Sequence, residues 1–354
     1  MDKKKKNILF ITTSRADYSH QRFLIKKVKS SKKFSSKILV SGSHFSKKFG
    51  KSFKEIIKDK IKIDIKINIK DSILNKKNLS SLIEFFFKKL SVITEKEKFD
   101  LVVVFGDRFE MLAVAYLAYI NRIPIAHIYG GEKTDGSLDD SIRHAITKLS
   151  NYHFVKNNTY YKRILQLGEN KKNIFNIGNL SEENISKIKI LSTRNLSRQL
   201  NLLIEKNKFF LITFHPETND DKYGTQDFYL LLKVLRNFPN YQMIFTLSNV
   251  DKGSEQINRI ISEWSKKNKN AHLFKFLGTQ KYLSLAKYAA VILGNSSSLV
   301  NEVSLLKKHS ILIGQRQSGR IESQFNHKVI NYSKMKKIIL NVINKNLKYE
   351  KKKK

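Results

Sequence analysis

The sequence predicts an α/β protein of two domains, each with a parallel β-sheet flanked by helices. The chain has 354 residues, and one domain usually holds about 100 to 200. Short runs of β-branched and aromatic residues alternate with longer helical patterns, which is the order of βαβ units on a parallel sheet. A polar stretch at 178–208 interrupts this alternation, which restarts at residue 209. We therefore expect two domains of similar size.

The first half alternates between strand and helix patterns along its whole length. Strands are predicted at 7–13, 37–41, 61–69, 101–105, 123–129, 152–155 and 174–177. Helices are predicted near 18–30, 79–98, 110–120, 140–149 and 159–167. These patterns predict a Rossmann-like domain over residues 1–178.

The second half repeats the pattern and predicts another Rossmann-like domain over residues 179–333. Its strands are predicted at 209–214, 241–247, 273–276, 290–293 and 310–313, and its helices near 225–237, 255–268, 281–289 and 299–306. A last helix at 334–350 has an apolar stripe that allows it to pack back onto the first domain. The tail at 351–354 is expected to fray.

The charge of the chain is strongly positive, at a formal +38, and dense positive charge attracts nucleic-acid phosphates. Lys supplies 56 of the 68 basic residues, however, and they are spread along the chain. Surfaces that grip phosphate or read bases favour the bidentate Arg fork. Biased codon usage explains this composition, although the charge can still steer anionic substrates inward. We predict no specific nucleic-acid partner and keep nucleic-acid binding as a remote alternative.

Several features bear on the compartment. The sequence has no cysteine, so disulfides and thiolate metal sites are excluded. The apolar run at 8–11 is too short for the core of a signal peptide. The apolar stretch at 101–129 carries two acidic and two basic residues, which exclude a membrane span. Together these features predict a cytoplasmic protein without membrane insertion.

Polar residues directly after strands are the candidate site residues, because open parallel sheets bind ligands beyond the carboxyl ends of their strands. Arg15 follows the first strand and can face a diphosphate, although a helix cap by Ser14 or Asp17 explains this segment equally well. Asp107 follows the fourth strand in the run GDRFE at 106–110, where a carboxylate can exchange protons. A capping Asp beside a surface Arg is the alternative there.

The densest group of polar residues follows the fifth strand. Glu132 comes after two glycines, and Asp139 and Asp140 open a helix that carries Arg143 one turn later. Closely packed carboxylates push one pKa upward, which lets one site hold an acid and a base near neutral pH. In the structural alternative, Asp139 caps the helix and Asp140 pairs with Arg143. We favour acid/base chemistry because Glu132 and the Asp pair both lie where a cleft is expected.

The second half offers groups suited to a phosphate. His215 follows a strand and is placed to bond a sugar or phosphate oxygen or to relay a proton. The serines at 296–298 open a helix whose N–H groups can cradle a phosphate. Glu302 lies one turn further on, and Arg320 follows the last predicted strand. A structural histidine, a serine helix cap and a solvated turn are the respective alternatives.

Some site types find no support in the sequence. Neither a Gly-x-Gly-x-x-Gly fingerprint nor a P-loop occurs, so a dinucleotide cofactor and a nucleoside triphosphatase are unsupported. Metal-ligand spacing such as His-Glu-x-x-His does not occur either. We predict no metal and no cofactor.

Taken together, these motifs resemble those of the hydrolysing UDP-N-acetylglucosamine 2-epimerases of sialic and legionaminic acid synthesis. The matching runs are RADY at 15–18, GDRFE at 106–110, HIYGGE at 127–132, DDSIRHAITKL at 139–149, TFHP at 213–216, GNSSS at 294–298 and RQSGR at 316–320. They span nearly the whole chain in the family's order, and the run at 139–149 is highly specific.

The resemblance implies a GT-B-like fold, in which two Rossmann-like domains face a cleft that holds UDP, and a homo-oligomer. It also implies that UDP is eliminated to leave a glycal-like intermediate, to which water then adds. The implied catalytic residues are Asp107, Glu132, Asp139, Asp140 and His215. The implied substrate-binding residues are Arg15, Ser296, Ser297, Ser298, Glu302 and Arg320, together with Arg143, which orients the carboxylates.

Three positions depart from the family's pattern. Leu299 replaces a glycine after the serines, Gln315 replaces an acidic residue, and Asn179-Leu180 replaces a small residue and proline at the hinge. These changes affect the expected binding of the nucleotide and the expected closure of the domains, whereas all the carboxylates of the family's pattern are present.

The predicted activity is conversion of UDP-N-acetylglucosamine and water to N-acetylmannosamine and UDP. The nearest alternative substrate is UDP-2,4-diacetamido-2,4,6-trideoxyglucose, because contacts at carbons 4 and 6 decide the sugar. A non-hydrolysing epimerase is disfavoured by the run at 139–149. A GT-B glycosyltransferase and a catalytically inactive sugar-binding protein are the remaining alternatives.

Overall fold

The computed structural model of the protein describes residues 5–69 and 79–351. The chain divides into two compact units: residues up to 133 with 138–184 form the first, and residues 134–137 with those from 185 onward form the second. The predicted frayed tail at 351–354 lies outside the described residues, apart from Lys351 at the end of the final helix. No helix within the described ranges is long and apolar enough to cross a membrane.

The first unit is a parallel sheet with helices between its strands. The strands are β1 (Lys6–Thr12), β2 (Phe34–Val40), β3 (Ile65–Lys66), β4 (Leu101–Phe105), β5 (Ile125–Ile128), β6 (Tyr152–Val155) and β7 (Ile174–Asn176). The helices are α1 (Arg15–Lys29), α2 (Phe53–Lys58), α3 (Leu79–Lys96), α4 (Phe109–Ile120), α5 (Asp139–Leu149) and α6 (Asn158–Gln166), and α7 (Ser181–Lys187) crosses the boundary between the two units. The sheet order is β3-β2-β1-β4-β5-β6-β7.

The central strands β1 and β4 carry continuous runs of buried apolar residues. The β1 side chains from Leu9 to Ile11 and the β4 side chains from Val102 to Val104 are all buried. A parallel sheet takes such continuous apolar runs because helices cover both of its faces. Phe105 of β4 pairs with Ile128 of β5, so the two loops that follow these strands begin side by side.

The second unit repeats this architecture. Its strands are β8 (Phe209–Thr213), β9 (Gln242–Thr246), β10 (Ala271–Phe274), β11 (Val291–Gly294), β12 (Ser310–Leu312) and β13 (Asn326–Lys328). Its helices are α8 (Thr193–Leu200), α9 (Thr225–Leu235), α10 (Ser254–Lys267), α11 (Gly278–Tyr288) and α12 (Met335–Lys351), with a π-helical turn at Leu299–Val303. The sheet order is β10-β9-β8-β11-β12-β13, and every strand pairing is parallel. The predicted class of two parallel sheets with alternating helices is confirmed.

The C-terminal helix α12 corrects one expectation. Met335, Ile339, Val342 and Ile343 are buried in the core of the second unit, with side chains of β8, β11 and α9. The apolar stripe therefore exists as predicted, but it packs in the core of the second unit. Only residues 329–334 separate β13 from α12, so the short connection keeps the helix on its own sheet.

The predicted domain boundary at 178/179 also differs from the observed division. The observed boundary falls inside helix α7, whose first four residues, 181–184, belong to the first unit. The Asn184 side chain donates to the Ser19 carbonyl at 2.7 Å, and the Ser181 hydroxyl lies 3.0 Å from the His20 ring. These bonds join α7 to α1, so the first unit extends to residue 184.

Residues 134–137 were predicted within the first domain but belong to the second unit. The Asp135 N–H donates to the Ser318 carbonyl at 2.9 Å, and the Asn219 side chain donates to the Asp135 carbonyl at 2.9 Å. A Cβ at Gly136 would lie 2.6 Å from the Gln315 carbonyl oxygen. Only glycine therefore fits where this segment lies against the loop at 314–320.

The remaining differences concern short elements. The strand predicted at 61–69 is reduced to β3, which pairs with β2 and, among the described strands, lies at the edge of the sheet. The helix predicted at 299–306 begins as a π-helical turn. Elements α2, α7, α8 and β13 were not predicted, because each is short. Helix α8, for example, has eight residues and buries one of them, Leu196.

Candidate active site

The loops after β4 and β5 carry the first two carboxylates. Gly106 and Gly131 have φ of 71° and 77°, a left-handed conformation that glycine adopts without steric cost. Asp107 and Glu132 follow these glycines directly. Glu132 is buried, whereas the side chain of Asp107 is 21% exposed.

Arg143 of α5 joins these loops to the helix start. One guanidinium nitrogen donates to the Glu132 carbonyl at 2.9 Å and to Asp140 at 3.2 Å, and the other donates to the Asp107 carboxylate. The Arg143 side chain is only 1% exposed. This burial favours the orienting role predicted for Arg143 over direct contact with a substrate.

The charge of Arg143 is stabilised by its carboxylate neighbours. Burial alone lowers the pKa of a guanidinium, but the negative charges of Asp107, Glu132 and Asp139 outweigh it and hold the pKa of Arg143 above its ordinary value. Arg143 is therefore a permanent buried cation. Four predicted acid/base residues, Asp107, Glu132, Asp139 and Asp140, thus surround one fixed positive charge.

Two cations near Glu132 were not predicted from the sequence. The Lys156 ammonium lies 3.2 Å from the Glu132 carboxylate, and the Arg163 guanidinium donates to the Gly131 carbonyl at 2.7 Å. Lys156 directly follows β6, so the rule that placed the other candidates after strands could have found it. Arg163 lies inside α6, where nothing in the sequence marks it.

The sequence also allowed purely structural roles for some of these residues, as helix caps or ion pairs, and the structure shows some of these roles. Ser14 caps α1 and forms a capping box with Asp17, whereas Arg15 begins the helix and is half-buried. The Asp140–Arg143 pair exists, but α5 has no side-chain cap, so Asp139 does not cap it. Capping therefore explains Ser14 and Asp17 but not Arg15 or Asp139.

In the second unit, His215 is held by Asn295. Thr213 of β8 pairs with Gly294 of β11, which brings the following residues together. The Asn295 side chain accepts from the His215 N–H at 2.7 Å and donates to the His215 carbonyl at 2.8 Å. The Asn249 N–H donates to His215 Nδ1 at 3.4 Å. This arrangement fixes the ring of a buried histidine at the carboxyl end of the sheet.

The serine segment lies beside it. The hydroxyls of Ser296 and Ser298 are 3.0 Å apart, and Tyr282 Oη lies 2.6 Å from the Ser298 hydroxyl. Ser297 is half-buried, and Glu302 is buried in the π-helical turn that follows. Leu299, the departure from the family's glycine, is buried in the apolar core of this unit.

The loop at 314–320 is organised by two residues that were given no role from the sequence. The buried Glu217 carboxylate accepts from the N–H groups of Gln315 at 2.9 Å and Arg316 at 3.4 Å, and burial raises its pKa. The Gln317 side chain donates to the Asn295 carbonyl at 2.8 Å and accepts from Arg320 at 3.0 Å. A bonded chain therefore links Arg320 to the serine segment. Within the described ranges, no three His, Asp or Glu side chains cluster as metal ligands would.

A Gly131→Ala substitution is expected to damage the site. The new Cβ would lie 2.6 Å from the Tyr160 carbonyl oxygen, in a left-handed conformation that costs a non-glycine residue about 1 to 2 kcal/mol. Displacement of Glu132 should lower kcat about tenfold or more. Gly168→Ala is the matched control, because Gly168 has φ of 84° with open space around it. It should cost similar backbone strain in urea denaturation and leave kcat unchanged; equal kcat values in both variants would contradict this role of Gly131.

An Asn295→Ala substitution is expected to weaken UDP binding about tenfold, because two main-chain groups of His215 lose their partner. Calorimetric titration with UDP measures the change. Asn346→Ala is the control: Asn346 is equally buried and accepts from the His309 N–H at 2.8 Å and donates to the Ala290 carbonyl at 3.0 Å. Both variants should lose about 1 to 3 kcal/mol of unfolding free energy. Equal UDP affinity in both variants would refute the expectation that Asn295 holds His215 for nucleotide binding.

Comparison with known proteins agrees with this architecture. A solved structure of the Methanocaldococcus jannaschii UDP-GlcNAc 2-epimerase in complex with UDP-GlcNAc and UDP aligns with a TM-score of 0.79 at 20% identity, over 96% of this chain and 93% of that one. The "GDP/UDP-N,N'-diacetylbacillosamine 2-epimerase (hydrolyzing)" of Campylobacter jejuni is 40% identical over 90% of this chain and 83% of its own. The polysialic acid biosynthesis protein P7 of Escherichia coli is 32% identical over 89% and 80%.

The pattern of the UDP-N-acetylglucosamine 2-epimerases matches residues 26–354. The chain belongs to the UDP-N-acetylglucosamine 2-epimerase family.

Proposed function

We propose that the protein is a hydrolysing 2-epimerase that splits a UDP-2-acetamido sugar into UDP and the free 2-epimer. The observation that carries the proposal is the set of carboxylates around the buried guanidinium of Arg143. Asp107 and Asp140 bond it directly, and Glu132 bonds it through its carbonyl. Carboxylates anchored to one fixed cation are preorganised around a single small volume, as proton transfer on one sugar ring requires.

The proposed reaction has two steps. One carboxylate removes the weakly acidic proton from carbon 2 while the bond between carbon 1 and the UDP oxygen breaks, and UDP leaves with the electron pair. The product is a glycal-like intermediate with a double bond between carbons 1 and 2. A carboxylic acid then returns a proton to carbon 2 on the opposite face, water adds to carbon 1, and the extra proton of that water passes to a carboxylate. One water is consumed, and the free sugar is inverted at carbon 2.

We propose that the second unit binds UDP through Ser296, Ser297, Ser298, Glu302 and Arg320, and that Arg15 of the first unit contributes a cation. His215 supports this proposal. Because its Nδ1 accepts from the Asn249 N–H, the neutral ring carries its proton on Nε2. That N–H is a suitable donor to a diphosphate oxygen.

The similarity to one relative supports a different preferred sugar from the one that the motifs alone favoured. N,N′-diacetylbacillosamine is the short name of 2,4-diacetamido-2,4,6-trideoxyglucose. The Campylobacter relative named for this sugar is 40% identical to this chain, whereas the UDP-N-acetylglucosamine 2-epimerase of Neisseria meningitidis is 28% identical over a similar share of it. We therefore propose UDP-N,N′-diacetylbacillosamine as the preferred substrate, with UDP-N-acetylglucosamine second. The GDP-linked form is a further candidate, because that relative's name includes it.

Incubation of the purified protein with each nucleotide sugar tests the proposal. Chromatography should show free UDP together with a free sugar inverted at carbon 2, formed fastest from UDP-N,N′-diacetylbacillosamine. An inverted sugar still attached to UDP would identify a non-hydrolysing epimerase, and a sugar transferred to an added acceptor would identify a glycosyltransferase. Bound but unchanged nucleotide sugar would identify an inactive sugar-binding protein.

Three further properties stay predictions: a cytoplasmic location, a homo-oligomeric state and the lack of a nucleic-acid partner. The net charge of +38 makes the last one worth a direct check. Tight binding to random duplex DNA that falls steeply with salt would contradict it.

A further inference from the structure

His127 lies in the run HIYGGE at 127–132 and has no part in the reaction proposed above. It sits in the middle of the sheet, on β5, and its side chain is fully buried. Its ring Nε2 is 2.8 Å from the Gly106 carbonyl oxygen, and its Nδ1 is 3.2 Å from the Thr147 hydroxyl. Both ring nitrogens are therefore engaged.

The two partners fix the tautomer of the ring. A carbonyl oxygen only accepts, so the proton of the neutral ring lies on Nε2 and is donated to Gly106. Nδ1 is then an acceptor, and the Thr147 hydroxyl supplies the hydrogen. That hydroxyl also lies 3.0 Å from the Arg143 carbonyl, so its single proton is shared between the two acceptors.

The ring stays neutral at every pH at which the enzyme would work. Burial lowers the pKa of His127 to about 3, and the positive charge of Arg143 adds to this effect while the Gly106 carbonyl and Asp107 oppose it. A ring that is buried, uncharged and bonded at both nitrogens cannot exchange protons with a substrate. Its function must lie in what it holds.

His127 is part of a closed cycle of hydrogen bonds and covalent links. His127 bonds Gly106, which is covalently joined to Asp107; Asp107 bonds Arg143, and Thr147 of the same helix returns to His127. A Cβ at Gly106 would meet no atom within 4 Å, so no packing contact lies on that side of Gly106. Two bonds join this loop to β5: the Gly106 N–H donates to the Ile128 carbonyl at 2.9 Å, and the Gly106 carbonyl accepts from His127.

The first glycine of this motif, Gly130, makes room for the contact between His127 and Thr147. A Cβ at Gly130 would lie 2.9 Å from the Thr147 hydroxyl and 3.0 Å from His127 Nδ1. Gly130 therefore leaves the space in which the histidine and the threonine meet. From these contacts we infer that His127 is a positioning residue that holds Asp107 against Arg143, an inference that rests on the proposed function.

The test uses two variants that keep different halves of the contact. His127→Gln places an amide N–H near the position of Nε2 and can keep the bond to Gly106, whereas His127→Asn places its amide near Nδ1 and loses that bond. We expect His127→Asn to lower kcat about 10- to 100-fold with KM within about threefold of the unchanged enzyme, because Asp107 moves while the nucleotide contacts remain. His127→Gln should restore kcat to within about threefold, with the same pH profile. Equal loss of kcat in both variants, or loss of one limb of the pH profile in His127→Gln, would overturn the inference.

Hydrogen exchange supplies a readout that does not depend on activity. A peptic peptide containing Gly106 and Asp107 should exchange faster in His127→Asn than in His127→Gln, and equal exchange would overturn the inference. If the unchanged protein releases UDP from none of the nucleotide sugars, the proposed function fails, yet this exchange comparison still decides the positioning role.

If the His127 variants do not fold, Thr147→Val should lower kcat with unchanged KM, and Thr147→Ser should restore it. Equal kcat in these two variants would overturn the inference.

Discussion

Replacing Glu132 by Gln is expected to lower UDP release by about 10²- to 10⁴-fold, the usual range for loss of a general acid or base. The amide keeps the shape of the side chain but can neither take nor give a proton. Glu132 is buried beside Lys156 at 3.2 Å, so the change also removes one ion pair. Asp107→Asn should have a loss of similar size, since both carboxylates surround Arg143. Measurement of free UDP under saturating nucleotide sugar gives kcat directly.

Glu169→Gln separates lost chemistry from a lost ion pair. Glu169 lies in the same unit, and its carboxylate is 2.5 Å from the Lys148 ammonium and 3.2 Å from the His153 ring. It belongs to no predicted acid/base group. Glu169→Gln should leave kcat within about twofold, because the Glu169 carboxylate pairs with Lys148 and His153 and not with the residues around Arg143. Unchanged turnover in both Glu132→Gln and Asp107→Asn would remove the assignment of the catalytic carboxylates.

Replacing Arg143 by Met should have the second large effect, on stability and turnover together. The apolar side chain fills the same space but leaves Asp107 and Asp140 facing each other without a cation. Breaking a buried ion pair costs about 3 to 5 kcal/mol, which urea denaturation measures. Because the carboxylates lose their common anchor, kcat should fall about 10²-fold or more.

Arg22→Met is the control for this variant. Arg22 is also a buried arginine of the first unit, and it pairs with Asp59 at 2.5 Å and Glu55 at 3.3 Å. It should lose comparable unfolding free energy while the folded fraction keeps its kcat. An equal loss of kcat in both variants would show that general destabilisation, and not the position of the carboxylates, explains the effect of Arg143→Met.

The fold could be predicted because its signals are local. The apolar run of β4 predicted its observed bounds, Leu101–Phe105, since the residues of a buried parallel strand are continuous in the sequence. The bounds of β6, Tyr152–Val155, were also predicted correctly. Helix α12 shows the limit of this reasoning. The sequence showed its row of apolar residues. Such a row predicts that this face of the helix is buried, but it does not predict which element packs against it.

From the sequence we could predict which loops carry the candidate site residues, but not the contacts that those residues make. The rule that ligands meet the carboxyl ends of strands placed Asp107, Glu132 and His215 correctly after strands. Contacts between side chains distant in sequence carry no such signal. The bond from Arg163 to the Gly131 carbonyl spans 32 residues, and the docking of 134–137 on the second unit depends on Gly136 having no side chain, which spacing alone does not reveal.

The central claim is that carboxylates around Arg143 remove the proton from carbon 2 of a nucleotide sugar that is then hydrolysed. A proton NMR time course in heavy water, with UDP-N,N′-diacetylbacillosamine and UDP-N-acetylglucosamine in separate reactions, tests it most directly. The account predicts free UDP and a free 2-epimer that carries deuterium at carbon 2. Release of UDP with the original configuration and protium retained at carbon 2 would contradict it.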